Sequence, residues 1–330
     1  MERSSPNEHV PAPWTLADDR AGNVRQALAL AGALGHGASR HWSLQARRPW
    51  RWVAPRRWPL SSRAFGADFA HALQYPPAFA IGCGRRAALA TRLLRERGSK
   101  VVQILDPRID TRHWDLVLAP EHDGLHGDNV VPLLGSLHPV DDAWLAQGRG
   151  DFPMLAQLPR PRVALLVGGA SPHWAVADDA FGAMLEAVAA SVHAQGGSLL
   201  ATASRRTPGA WRDALRAAVA QGPGVCWLDA GDGANPYPGL LGWADRIVAS
   251  ADSVNMLSEA CATFAPVFVL GGERLKSRPR GFLERLRELG RIRDVDPGLE
   301  PFAVQALRET ARVAAIVRER LALAAPSHAP

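Results

Sequence analysis

The strongest constraint on what this chain can fold into is an alternation of short apolar strands with helical stretches that runs along the sequence and then starts again. Residues 13–17 read as a strand leading through Asp18-Asp19-Arg20-Ala21-Gly22-Asn23 into a helix that carries Ala27, Leu28, Leu30, Ala31 and Leu34 and stops at Gly35. The unit recurs. A strand at 78–81 enters Gly82-Cys83-Gly84 and a helix to residue 97, a strand at 100–105 enters Asp106-Pro107-Arg108, and a strand at 114–119 enters Pro120-Glu121-His122-Asp123. Residues 141–161 have little strand character and hold Gly148, Gly150, Pro153, Pro159 and Pro161, after which the alternation resumes. A strand at 163–167 meets Gly168-Gly169-Ala170-Ser171, a helix follows at 178–194, and a strand at 198–202 meets Ala203-Ser204-Arg205-Arg206-Thr207-Pro208. Next come a helix to residue 220, a strand at 225–228, a turn at Asn235-Pro236-Tyr237-Pro238 and a strand at 246–249. Ser250-Ala251-Asp252-Ser253 then opens a helix to residue 263, and a strand at 267–270 closes the series.

Strands this rich in Val, Ile and Leu, with helices between them, are buried on both faces, which a parallel sheet covered by helices provides. The expectation is an α/β chain of two Rossmann-like, doubly wound domains: a polar tail over 1–12, a first domain over 13–150, a linker over 151–161 and a second domain over 162–330. The last helix, around 304–323, has no strand after it and is free to pack across the domain junction.

Composition narrows the class. The 330 residues are 47% apolar and 21% charged, which describes an ordinary globular chain and excludes disorder and collagen. No apolar run approaches the roughly 18 residues of a membrane span. Glu2, Glu8, Asp18 and Asp19 interrupt the stretch where a secretory signal needs its apolar core, so the expected location is cytoplasmic. Cys83, Cys226 and Cys261 lack CxxC spacing and fit packing positions in a reducing compartment. The net charge of +6 is too modest to argue for nucleic acid. One segment stands apart: residues 40–63 hold Arg40, Arg47, Arg48, Arg51, Arg56, Arg57 and Arg63, no acid, and Trp42, Trp50, Trp52 and Trp58. It reads either as a peripheral contact with an anionic membrane, at the inner face, or as a strand and loop whose tryptophans pack and whose arginines are solvated.

In an open parallel sheet the ligand sits beyond the carboxyl ends of the strands, where helix N-termini expose unpaired N–H groups. Gly168, Gly169 and Ser171 form an anion cradle there or a plain tight turn. Ser204, Arg205, Arg206 and Thr207 place two guanidiniums between hydroxyls, a phosphate clamp or a solvated loop. Asp252 or Ser253 caps the next helix, and Ser258 and Glu259 follow one to two turns in, where a carboxylate either accepts both hydroxyls of a ribose or is an ordinary helix residue. Gly82-Cys83-Gly84-Arg85-Arg86-Ala87 fits GxGxxA after a strand, with Asp106 ending the next strand, which invites a nicotinamide dinucleotide. Against it, Tyr75 and Tyr237 are followed four positions on by Phe79 and Leu241, so the Tyr-x-x-x-Lys pair of short-chain epimerases and reductases is missing. Glu121, His122, Asp123, His126 and Asp128 crowd one loop in a spacing that matches no zinc signature, so no metal is expected. His122 and Asp123 are candidate general bases, with Asp18 and Asp19 as rivals. GxSxG, Walker A and HExxH sequences are absent.

Several of these motifs in order carry a resemblance: Trp14-x-Leu16-x-Asp18-x-x-Ala21-Gly22, Ile81-Gly82-Cys83-Gly84-Arg85-Arg86, Gln103-Ile104-x-Asp106-Pro107-Arg108, Pro120-Glu121-His122-Asp123, Ser204-Arg205-Arg206-Thr207, Asn235-Pro236-Tyr237 and Ala251-Asp252-Ser253-x-x-Met256-x-Ser258-Glu259. The set resembles the bacterial branch of the mitochondrial-fission "elongated mitochondria" family over about residues 13–290. That family is similar to the GT-B glycosyltransferases, whose two Rossmann-like domains face each other across a cleft. The resemblance implies a nucleoside-diphosphate sugar on the second domain, its diphosphate at the helix of Asp252 and Ser253, its ribose on Glu259, and Arg205 and Arg206 nearby. It implies an acceptor and a base on the first domain, around Gly22, Asn23, Asp18, Asp106, Arg108 and His122. The chain departs from the family's commoner Lys at Arg20, and its segment 271–280 is short and basic.

The leading expectation is therefore a metal-independent, inverting glycosyltransferase with no tightly bound cofactor and a nucleoside-diphosphate sugar as donor. The alternatives are a scaffold that keeps the cleft without transfer, and a nicotinamide-dependent nucleotide-sugar enzyme.

Overall fold

A computed structural model describes residues 13–36, 39–276 and 278–323; the expected tail at 1–12 lies outside them. The first sheet is wholly parallel and contains β1 (Trp14–Ala17), β2 (Arg40–Ser43), β3 (Phe79–Cys83), β4 (Lys100–Ile104), β5 (Leu116–Pro120) and β6 (Val130–Leu133), in the order β2-β1-β3-β4-β5-β6. Its connections carry α1 (Ala21–Ala33), the short α2 (Trp50–Val53), α3 (Ala67–Ala72) and α4 (Arg85–Arg95). β3 and β5 are buried along their whole length, as strands covered on both faces must be. Alternation sorts their side chains: Ala80 joins one core layer with Trp14, Leu16 and Phe69, while Phe79, Ile81 and Cys83 join the other with Ala27, Leu30 and Leu34.

After α5 (Asp142–Asp151) the second parallel sheet is built from β7 (Arg162–Val167), β8 (Ser198–Ala203), β9 (Gly224–Trp227), β10 (Arg246–Ser250), β11 (Val267–Leu270) and β12 (Ile292–Asp294), in the order β12-β11-β10-β7-β8-β9. Its helices are α6 (Asp178–Ala194), α7 (Gly209–Ala220), α8 (Tyr237–Trp243), α9 (Val254–Cys261) and α10 (Arg278–Glu288); the chain then reaches α11 (Thr310–Leu321). The fold class is the one expected, α/β with two doubly wound, Rossmann-like domains.

The division of the chain differs in detail from the sequence expectation. Among the described residues, one compact unit holds those up to Leu133, Leu137–Pro139 and those from Glu309 on; the other holds Leu134–Ser136 and Val140–Arg308. The segment expected as a linker at 151–161 belongs to the second unit. Gly148 marks a close approach there, since a Cβ on it would come within 2.5 Å of the Pro238 carbonyl carbon on α8, and the Trp243 indole donates to the Phe152 carbonyl at 3.1 Å. Pro153 begins a 3-10 turn rather than a tether. The last helix, α11, packs in the first unit: Val313, Ala314 and Val317 are buried with Ala27, Leu30 and Leu34, and the Thr310 hydroxyl donates to the His138 carbonyl at 2.8 Å. Two further differences are local. The turn at Asn235 leads directly into α8, because a proline near a helix start lacks only an N–H that would be unpaired there anyway, and β12 adds an edge strand beyond the expected last one. No helix among the described residues is long and apolar enough to cross a membrane.

Candidate functional site

Each sheet has a point where successive strands are added on opposite sides, and there the loops leaving the strand ends diverge and open a crevice. In the first sheet it lies between β1 and β3, in the second between β7 and β10.

At the first of these points, Asp18 follows β1. Its carboxylate accepts from the Asn23 side-chain amide at 2.8 Å and from the Arg20 N–H at 3.3 Å, and both Asp18 and Asn23 are buried. Gly22 lies in the first turn of α1 beside them. Gly84 ends β3 with φ +86°, and a Cβ there would sit 2.5 Å from the Asn23 amide nitrogen, so glycine is required both by conformation and by contact. Gly82 is held by packing, since a Cβ would meet the Thr91 methyl at 2.6 Å and the Gln103 side-chain oxygen at 2.9 Å. Burial, reinforced by the nearby Asp18 charge, pushes the Cys83 thiol well up, so it is no thiolate nucleophile. Asp106, after β4, accepts from the Arg108 N–H at 2.7 Å and pairs with the Arg108 guanidinium at 3.1 Å; Arg108 itself sits at φ +63°. His122 and Asp123 are half-buried in a 3-10 turn after β5.

All these residues lie at the carboxyl edge of one sheet, but not at one point. β1 and β5 are separated by β3 and β4, three strand spacings or roughly 14 Å. Asp18 and His122 are therefore separate base candidates, not a dyad. No group of three His, Cys, Asp or Glu side chains among the described residues is arranged to hold a metal ion.

The second crevice is more tightly built. The Gly168 N–H donates to the Ser250 hydroxyl at 2.7 Å, the Gly169 N–H donates to Asp252 at 2.7 Å, and the Ser250 hydroxyl donates to the other Asp252 oxygen at 2.6 Å. A Cβ on Gly168 would fall 2.2 Å from the Asp252 carboxylate, and one on Gly169 would fall 2.7 Å from the Arg206 carbonyl oxygen. The two glycines thus let three loops meet, and their amides are taken by Ser250 and Asp252. Burial raises the Asp252 carboxyl above its ordinary value, against the opposing pull of Ser250, the Gly169 amide and the Arg206 charge.

Beyond β8, Ser204 and Thr207 turn inward. Their hydroxyls are 3.0 Å apart, and the Thr207 hydroxyl also donates to the Gly168 carbonyl. Between them Arg205 and Arg206 are exposed, and neither makes a side-chain ion pair or hydrogen bond among the described residues. The Ser171 hydroxyl accepts from the His173 N–H at 3.1 Å, closing the loop after β7. Ser253, not Asp252, caps α9, accepting from the Met256 N–H at 3.4 Å. Ser258 is turned into packing, donating to the Val254 carbonyl at 2.8 Å and accepting from the Ser136 N–H at 3.0 Å. Glu259 is 4% exposed and accepts from the Tyr237 hydroxyl.

Four contributors carry no recognisable role in the sequence. Ser250, Tyr237 and Gln103 lie inside the motifs but show their parts only in the fold, where the Gln103 amide donates to the Gly84 carbonyl at 3.2 Å. Arg291 carries no local signal at all. It is 2% exposed and closes the end of α9 by donating to the carbonyls of Ala260, Cys261, Thr263 and Ala265 at 2.9–3.2 Å.

Two wholly parallel, doubly wound sheets, each with a switch point at the carboxyl ends of its strands, define a GT-B-like fold. Among solved structures, UDP-GlcNAc 2-epimerase from Neisseria meningitidis bound to UDP-GlcNAc superposes with a TM-score of 0.55 at 11% identity, over 94% of this chain and 99% of that one. That likeness concerns the fold alone. In sequence, residues 21–321 match the family described as Mitochondrial fission ELM1, and the chain belongs to that family. Mitochondrial fission protein ELM1 of Arabidopsis thaliana is 30% identical over 280 residues, which span 74% of this chain and 64% of the plant protein, so this chain corresponds to less than two thirds of that relative. An uncharacterized protein of Rickettsia prowazekii is 23% identical over 92% of this chain and 97% of its own length.

Proposed function

We propose that this protein binds a nucleoside-diphosphate sugar at the carboxyl edge of its second sheet and transfers the sugar to an acceptor hydroxyl. The observation that carries the reading is the pair Arg205 and Arg206: two exposed guanidiniums with no side-chain partner among the described residues, on the loop after β8, beside the β7/β10 switch point. A planar guanidinium can bind two phosphate oxygens at once, and the capped start of α9 adds N–H groups and the positive end of a helix dipole. Support comes also from the fold shared with an epimerase that was solved with UDP-GlcNAc.

In the proposed reaction the acceptor oxygen forms a bond to the anomeric carbon as the bond from that carbon to the diphosphate breaks. The acceptor proton passes to a carboxylate or imidazole, and the nucleoside diphosphate leaves carrying the bonding pair. Arg205 and Arg206 stabilise that leaving charge where a metal would otherwise do so. Asp18 is the better-oriented base, because Asn23 and the Arg20 N–H fix one of its oxygens and leave the other toward the exposed Arg20 side chain; His122 and Asp123 are the rivals.

A second reading is supported by Asp252. Its carboxylate occupies the Gly169 amide and brings negative charge beside the expected diphosphate seat, an arrangement that suits a protein keeping the nucleotide fold for binding or scaffolding without transfer.

A thermal-shift screen against UDP, GDP, CDP, TDP and ADP and their sugar conjugates tests the nucleotide site, since a ligand selective for the native state raises Tm, and an assay of the released leaving group then separates transfer from scaffolding. The proposal expects one base to be preferred. It also expects the Arg205→Gln, Arg206→Gln double variant to lose at least tenfold in affinity at unchanged unliganded Tm, because two charge-assisted contacts are removed from an exposed loop. No shift with any nucleotide would overturn the enzyme reading. Binding without release of the nucleoside diphosphate in the presence of acceptor mixtures would favour the scaffold.

A further inference from the structure

We infer that the segment between β2 and α3 is a docking surface for an anionic lipid bilayer. The segment is long, 23 residues from Leu44 to Gly66, yet it is not loosely tethered. Arg85, the first residue of α4, donates to the carbonyls of Trp52 and Ala54; Arg92 donates to the Pro55 carbonyl at 2.9 Å; and Arg57 pairs with Glu96 just past the end of α4 at 3.0 Å. The chain from Trp52 to Arg57 therefore follows α4 from start to end, a distance of roughly 16 Å at the helical rise. Within the segment the Trp50 indole donates to the Pro59 carbonyl at 3.1 Å, and Ser61 exchanges bonds with the backbone of Trp58.

This frame presents two kinds of side chain outward. Arg47, Arg48, Arg51, Arg56 and Arg63 are exposed and make no ion pair among the described residues, and the segment has no acid of its own; Glu96, paired with Arg57, and Asp68 on α3 are the carboxylates nearest in the chain or in contact. Trp52, Trp58 and Leu60 are 61%, 54% and 62% exposed, while Trp42 packs against Trp14 and Phe69. Leu60 keeps that exposure at φ +59°, a conformation a leucine adopts only when its surroundings hold it. The sequence alternative, in which the tryptophans pack, thus describes Trp42 and Trp50 but not Trp52 and Trp58.

Charge complementarity selects the occupant. Unpaired guanidiniums bind lipid phosphates, and tryptophan is the side chain best suited to the boundary between headgroups and acyl chains, having an apolar ring and a polar N–H. A nucleic acid would use the same arginines but has no need of an exposed leucine between them. The surface is independent of the nucleotide-sugar reading, because it lies wholly on the first unit and uses none of the residues assigned to the donor.

The test is co-sedimentation of the full chain with vesicles of phosphatidylcholine alone or with about one third phosphatidylglycerol, at low and high salt. Each basic side chain near an anionic surface contributes about fivefold to partitioning, so Arg47→Gln, Arg48→Gln, Arg51→Gln and Arg56→Gln together are expected to lower it on the order of 500-fold. A second variant, Trp52→Ser with Trp58→Ser, keeps the charge; it is expected to retain salt-sensitive binding with lower affinity and to lose the blue shift of tryptophan emission on vesicle addition. Circular dichroism and Tm are expected to stay unchanged in both, as the side chains are exposed. Three results would each overturn the proposal: equal sedimentation with both vesicle types, undiminished binding of the four-arginine variant, or failure to bind anionic vesicles by a protein that shifts a single-stranded oligonucleotide.

Discussion

Replacing Arg291 tests how the second switch point is held in place. The guanidinium is buried against the end of α9, the helix capped at its start by Ser253, and it donates to four carbonyls. Those carbonyls are not equivalent. That of Cys261 also accepts from the Leu307 N–H at 2.8 Å and that of Ala260 from the Thr263 hydroxyl at 2.8 Å, so both keep a partner when Arg291 is truncated. Among the described residues the carbonyls of Thr263 and Ala265 have no second side-chain or loop donor of this kind. Arg291→Met fills a similar volume and leaves these two buried acceptors unsatisfied, at about 1–3 kcal/mol each. Release of a buried charge, whose pKa burial has already lowered, offsets part of that loss. A net destabilisation of about 3–4 kcal/mol follows, which for a domain of this size is a Tm drop of roughly 6–16 °C. Scanning calorimetry reads it as a shift of the second unit's transition. Arg291→Lys keeps the charge but not the planar fork, and should fall between wild type and Met. A drop below about 2 °C in the Met variant would refute the argument that the four contacts hold the end of α9.

Further expectations concern the neighbouring groups. Asp252 has its folded pKa raised, so its contribution to stability is fully present below the ordinary 3.8 and is lost as pH rises through the raised value; Asp252→Asn should remove that loss, seen as a flatter stability difference across the acid range, and a parallel pH profile for the two proteins would contradict it. Tyr237→Phe deletes the bond to Glu259 inside the core and should lower stability by about 1–3 kcal/mol in thermal or urea unfolding, whereas an unchanged midpoint would show that bond to be idle. Glu259→Ala should be destabilising as well, because the residue is only 4% exposed and accepts from the Tyr237 hydroxyl; a wild-type Tm would count against this.

Much of the architecture was legible in the sequence because burial on both faces leaves a dense one-dimensional signal. Strands such as β7 and β8 are buried along their whole length and carry the apolar runs Val163–Val167 and Leu199–Ala201, and α6 spans 178–194, the limits its sequence pattern predicts. Edges were harder. β12 has only three residues, two of them exposed and charged, so no hydrophobic pattern announces it. The Gly and Pro content of 141–161 looked like a linker, but glycine also marks close approach, and at Gly148 it serves the packing of α5 on α8.

The candidate site divides in the same way. Sequence alone could determine the loops, since they are the segments that follow predicted parallel strands, and it could place Arg205 and Arg206 there because exposed charges need no partner to be recognised. It could not determine what the other side chains in those loops touch. Asp252 reaches a glycine amide 83 positions away, Ser258 meets Ser136, and Arg291 reaches back to α9 across some thirty residues. A hydrogen bond depends on a separation of about 3 Å between particular atoms, and for residues far apart in the chain only the packing of strands and helices sets that separation.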